Sequence, residues 1–115
     1  MARLRSDIWV AAYLRRCGVE GVAAVLRRRG AAEAGAIFVK LDHLDGTASL
    51  FGPAPQAAFE DRAQARLFTT VVSSVMPPDV EERMKRELKF DPDLWFVEVE
   101  DARGRHFLDL AADTD

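Results

Sequence analysis

The stretch AIFVKLDHLDGTASLFG, residues 36–52, constrains the fold more than any other part of the chain. Ile37, Val39 and Leu41 alternate with Phe38 and Lys40, which is the two-residue period of a strand with two unlike faces. Asp45-Gly46 stands where the run reverses. Glycine supplies the positive φ that a tight primed turn needs, so the pair signals a hairpin. Thr47 to Phe51 forms the returning strand, and Gly52-Pro53-Ala54-Pro55 breaks it. A lone hairpin is marginal in water, so its apolar face has to be covered by the rest of the chain.

The flanking residues supply that cover. Ser6 is placed to cap a helix over about 6–17, with Trp9, Tyr13 and Cys17 in one stripe and Gly18 as its stop. Residues 22–29 alternate like a strand, Val22, Ala24 and Leu26 against Ala23, Val25, Arg27 and Arg29, while their Ala, Leu and Arg content leaves a helix open. LFTTVVS, 67–73, is rich in β-branched residues and reads as a strand. The best helix pattern follows. Asp79 with Glu82 makes a capping signature, and Val80, Met84 and Leu88 form the stripe. Asp91-Pro92-Asp93 turns the chain into a strand that carries Trp95, Val97 and Val99 on one side and Phe96, Glu98 and Glu100 on the other. HFLDL, 106–110, reads as a short last strand. Residues 57–66 read as loop or one to two helical turns, and 111–115 as a frayed tail.

This order predicts an α+β fold. Residues 1–115 form a single two-layer domain, a mostly antiparallel sheet of five to six strands with two main helices packed on one face. At 115 residues and 49% hydrophobic the chain can bury its own core. The expected core face holds Ile37, Val39, Leu41, Ala48, Leu50, Trp95, Val97 and Val99, with Trp9 and Tyr13 packed on Trp95. The opposite face is expected to be polar, with Phe38, Phe51 and Phe96 embedded among Lys40, Thr47, Ser49, Glu98 and Glu100.

Charge is unevenly spread. Residues 1–40 hold eight Lys/Arg and three Asp/Glu, a net +5; residues 41–115 hold eight and sixteen, a net -8. The two halves are expected to attract each other. Arg27, Arg28 and Arg29 stand together. Strand alternation puts Arg27 and Arg29 on one face, about 6–7 Å apart from a rise of roughly 3.3 Å per residue. With Lys40 they make a candidate clamp for a phosphate or carboxylate. The plainer reading is a strand end whose arginines pair with the chain's own carboxylates, such as Glu81 or Glu87. RGAAEAG has neither phosphate-loop nor dinucleotide spacing, and no cofactor is expected. Phe38, Phe51 and Phe96 make a candidate partner-binding face. A nucleic acid is disfavoured there, because Glu98 and Glu100 would repel phosphate. His43 between Asp42 and Asp45 reads as turn chemistry rather than a metal site. The single cysteine, Cys17, reads as a core residue, and no nucleophile motif or carboxylate pair points to a catalytic residue. No apolar run reaches the roughly 20 residues of a membrane span. The basic start is read as part of the first helix, not a signal peptide, and the expected compartment is the cytoplasm.

The segments SDIWVAAYLRRC, RRRGAAEAGAIFVK, LDGTASLFGPAPQ, FDPDLWFVEVED and GRHFLDL together resemble the domain-of-unknown-function family 1491, small alphaproteobacterial proteins of about this length. The resemblance covers nearly the whole chain, least over 57–78. It implies a stand-alone bacterial protein with no assigned activity and no catalytic residues to carry over. The leading functional expectation is a non-enzymatic binding or interaction module, homodimeric or bound to a protein partner. The alternative is an anion-binding protein or small enzyme acting on a phosphorylated or carboxylated ligand.

Overall fold

The structure, a computed structural model, describes residues 4–55 and 66–111. The expectations for residues 57–65 and for the tail from 112 onward lie outside them. The elements in chain order are α1 (Ser6–Val19), β1 (Ala23–Arg28), β2 (Ile37–Asp42), β3 (Ala48–Pro53), β4 (Phe68–Val75), α2 (Pro77–Phe90) and β5 (Trp95–Glu100). The strands form one sheet in the order β1-β5-β2-β3-β4. Only the β2–β5 pairing is parallel; β1–β5, β2–β3 and β3–β4 are antiparallel. The α+β class, the two helices and the mostly antiparallel sheet of five strands are as the sequence implies.

The placement of α2 is not. β4 runs antiparallel to β3, and β3 to β2, so β4, β2 and β5 point the same way. The link from β4 to β5 is therefore a crossover between parallel strands, and such a link has to pass across a face of the sheet. One face is already taken. Val10, Tyr13 and Cys17 of α1 pack there on Ile37, Val39, Leu41, Trp95, Val97 and Val99. α2 crosses the other face and lays Val80 and Met84 against Phe38, Ala48, Leu50, Leu94 and Phe96. The two helices thus flank the sheet in three layers, and the supposedly polar face is a second core. The expected contact of Trp9 and Tyr13 with the Trp95 core is present: Tyr13 and Trp95 are buried in it and Trp9 packs against it.

β3 is inverted relative to the sequence reading. A two-residue Asp45-Gly46 turn would set Leu41 opposite Leu50. The observed partners are Asp42 with Ala48, Lys40 with Leu50 and Val39 with Phe51. The amide of His43 donates to the carbonyl of Thr47 at 3.0 Å, leaving three residues, Leu44 to Gly46, in the turn. Leu44 takes φ 60 and Gly46 φ 91. The Asp45 carboxylate accepts from the Thr47 amide and hydroxyl, and Asp42 accepts from the Leu44 amide. One extra residue in the turn shifts the register by one, and a shift of one sends every side chain of the strand to the other face. Phe51 accordingly joins the α1 core, while Ala48 and Leu50 join the α2 core.

The helix starts also differ. Ser6 lies inside α1, and its buried hydroxyl donates to the carbonyl of Gly35 at 2.7 Å. The first amides of α1 are taken by the loop instead: Ser6 N–H donates to Glu33 O and Asp7 N–H to Ala32 O. α2 begins at Pro77 after an N-cap at Met76, with no side-chain cap. Proline suits that first position because its missing N–H would find no helical partner. Asp79 is therefore a first-turn residue and not the cap. Residues 106–110 form no strand; their sheet contact is a single parallel bridge between Leu110 and Phe68.

Candidate functional site

Arg27 and Lys40 do converge, on the face that carries α2. β1 brings Arg27 across β5, and β2 brings Lys40 up beneath it. Both meet Glu81 from the first half of α2. Arg27 Nη1 and Lys40 Nζ each lie 2.8 Å from the same Glu81 Oε2, and Arg27 Nη2 donates to Oε1 at 2.9 Å. Glu98 of β5 closes the group, 3.0 Å from Arg27 and 3.5 Å from Lys40. The Arg27 guanidinium also lies over the Phe96 ring, 4.6 Å from its centroid. Two cations thus face two carboxylates. The side chain of Lys40 is only 7% exposed, and a buried ammonium needs such partners. The Arg27 and Lys40 hydrogen bonds pull the Glu81 carboxyl down to about 2, against desolvation that raises it. The same Glu81 pairing raises the Arg27 pKa.

Arg29 is elsewhere. A bulge between Leu26 and Arg28 ends the regular β1 alternation. Arg29 then stacks over Trp95, 5.3 Å from the ring centroid, and Arg28 donates to the carbonyl of Pro92 at 2.7 Å. The glycines that follow serve packing. A Cβ at Gly30 would sit 2.2 Å from the carbonyl oxygen of Asp93, and one at Gly35 2.5 Å from it. The loop's polar groups are spent on α1 and on the core: Ala31 O accepts the indole N–H of Trp95 at 2.8 Å, and Ala31 N–H donates to Asp93 O.

Of the phenylalanine triad, Phe38 and Phe96 lie together under α2, and Phe51 lies in the other core beside His106, with ring centroids 4.9 Å apart. A polar pair escaped the sequence reading. The His43 ring lies 2.8 Å from Ser49 Oγ, which also accepts the Ser74 amide at 2.9 Å. A two-residue turn would put Ser49 on the face opposite His43, and the three-residue turn brings them to the same face. Ser49 is 3% exposed, and the pair ties the hairpin to the irregular stretch of β4 at Ser74, where φ is 52. Asp42, Glu98 and Glu100 bring carboxylate oxygens within 4.8 Å of one another at the end of β2 and β5. Cys17 is buried, and burial pushes its thiol up. Among the described residues no helix is long and apolar enough to cross a membrane.

This fold is shared. A crystal structure of a DUF1491 family protein from Caulobacter crescentus CB15 is 40% identical, with a TM-score of 0.78 over 95% of this chain and 98% of that one. The solution structure of protein Atu0922 from A. tumefaciens is 39% identical, with a TM-score of 0.82 over 97% and 98%. An NMR structure of a DUF1491 family protein from Caulobacter crescentus CB15 is 39% identical, with a TM-score of 0.79 over 99% and 100%. No curated protein matches the chain. The model of the family described as protein of unknown function (DUF1491) matches residues 4–109, and the chain belongs to that family.

Proposed function

We propose that the protein is a non-enzymatic interaction module of the bacterial cytoplasm and works as a homodimer through the free edge of β1. The observation that carries this reading is the charge layout around that edge. α2 lies mainly over β3 and β4, and on the same face of β1 Ala23 is exposed and Val25 is 56% exposed. Ala23, beside Glu100, marks the acidic end, where Glu100 lies next to Asp42. The other end carries Arg27, Arg28 and Arg29. Two copies of β1 paired antiparallel about a two-fold at Val25 set each basic end across from the partner's acidic end. The bulge after Leu26 confines the pairing to Ala23–Arg27, which suits a transient interface under about 1,200 Å². Light scattering up to about 1 mM tests it. The reading expects a salt-weakened dimer that Val25→Lys abolishes without unfolding the chain. A parent protein that stays monomeric throughout rejects it.

A second reading, binding of a phosphate or carboxylate by Arg27 and Lys40 without Arg29, draws support from one contact. Both nitrogens meet on a single carboxylate oxygen of Glu81, where a ligand's oxygen would have to sit. Glu81→Ala vacates that position. Saturable phosphate or citrate binding by the variant, seen at the Arg27 and Lys40 resonances, favours this reading. Equal silence in the variant and the parent removes it.

A further inference from the structure

Trp9, Ala12, Tyr13 and Arg16 recur every three to four residues and share one side of α1. With Leu4, Arg66, Phe107 and Asp109 they line a cleft of about 230 Å³ on the side of the molecule away from α2. Its walls are flat rings. Trp9 stacks on Tyr13 with centroids 4.9 Å apart and planes 12° from parallel. The Tyr13 hydroxyl is already used, donating to the carbonyl of His106 at 2.7 Å, so the ring offers the cleft an apolar surface. Phe107 holds φ 57, a left-handed conformation unusual for an aromatic residue, and its ring lies 4.9 Å from the Arg16 guanidinium. Between these rings stands Ala12, whose small side chain leaves the space open.

Among the described residues that line the cleft, the charged groups are the guanidinium groups of Arg16 and Arg66 and the carboxylate of Asp109. Arg66 is engaged: it donates to the carbonyl of Leu4 at 2.9 Å and lies 6.0 Å from the Trp9 ring. Arg16 stacks on Phe107 and forms no salt bridge among the described residues. A guanidinium placed over a ring still has N–H donors to offer a planar acceptor, and a carboxylate is the acceptor that matches their fork. The volume lies below the 300–1,000 Å³ usual for drug-sized ligands, so the occupant is small.

We infer that this cleft binds a small aromatic monocarboxylate, its ring among Trp9, Tyr13 and Phe107 and its carboxylate on Arg16. The inference is independent of the dimer, because β1 pairs through its edge and the cleft lies on α1.

The test is a titration of the isotope-labelled full chain with benzoate, followed by amide shifts and by the Trp9 indole N–H. Saturable shifts at Ala12, Arg16 and Phe107 and at the Trp9 indole are expected at millimolar benzoate or below. Benzamide has the same ring without the charge and should bind at least tenfold more weakly. Cyclohexanecarboxylate keeps the charge without the flat ring and should also be weaker. Arg16→Gln, at an exposed position, should keep the parent's spectrum elsewhere and lose the benzoate preference over benzamide. Ala12→Leu should lose both ligands by filling the space. An absence of saturable shifts in the parent overturns the inference, and so does binding that Arg16→Gln and Ala12→Leu both leave unchanged.

Discussion

Glu81 holds the charge cluster together. Among the described residues it is the one carboxylate in hydrogen-bond contact with both Arg27 and Lys40. Glu81→Gln leaves Lys40 buried with Glu98, at 3.5 Å, as its remaining acid. The expected loss is about 1–3 kcal/mol at pH 7 in chemical denaturation, between the values for an exposed pair and for a broken buried pair. The pH dependence has a definite sign. The folded carboxyl titrates near 2 and an unperturbed one near 4.5. Its contribution is therefore fully present above about pH 4.5 and is lost as the pH falls toward 2. The stability gap between parent and variant should close over that window; a constant gap would mean that the charge of Glu81 is not what stabilises. Asp79→Ala, by contrast, should change stability by less than about 0.5 kcal/mol, because Met76 occupies the cap position and Asp79 makes no capping bond. At this scale the sequence shows which side chains are charged but not which of them meet. Arg27 and Lys40 could be singled out from residue type. Their partner Glu81 lies 54 and 41 positions away, and only the path of α2 brings it near.

Among the elements, the loop 29–36 and α1 respond to added bulk in opposite directions. Gly30→Ala forces a methyl into the carbonyl of Asp93 and should cost about 1–3 kcal/mol by overpacking. Gly18→Ala in the last turn of α1 meets nothing within 4 Å and should gain about 0.5 kcal/mol from helix propensity. Thermal melts of the two variants check both signs; equal effects would mean that the loop is not packed as tightly as the Asp93 contact demands. Trp95→Ala removes the largest fully buried side chain and its bond to Ala31, an expected loss of about 3–5 kcal/mol. Both helices and strands β2 to β5 were legible from period or β-branched content, β1 stood between strand and helix, and the strand expected over 106–110 does not form. The facing of β3 was not. It depends on whether two or three residues lie in the turn, and His43, Leu44 and Asp45 fit either count until the His43–Thr47 bond is seen. Ser49 and Phe51 were misplaced by that single residue, and with them the His43–Ser49 contact and the phenylalanine triad.

For the whole molecule, the sheet order places β5 between β1 and β2, a long-range insertion that local patterns do not encode. It makes β4-α2-β5 a crossover, and among the described residues it leaves β1 as an edge strand, with Ala23 and Val25 exposed. The uneven charge along the chain then takes on a spatial meaning. Part of it is cancelled internally at Arg27, Lys40, Glu81 and Glu98, and along β1 the Ala23 end lies beside Glu100 while Arg28 and Arg29 stand at the other end. The central claim is that this edge pairs with its own copy. An isotope-filtered NOE experiment on a mixture of labelled and unlabelled chains, at about 1 mM and low salt, tests it most directly. The account predicts intermolecular contacts from Val25 methyls to Val25 and from Ala23 to Arg27 of the second copy, all lost in Val25→Lys. Intermolecular contacts confined to other surfaces, or none at all, would contradict it.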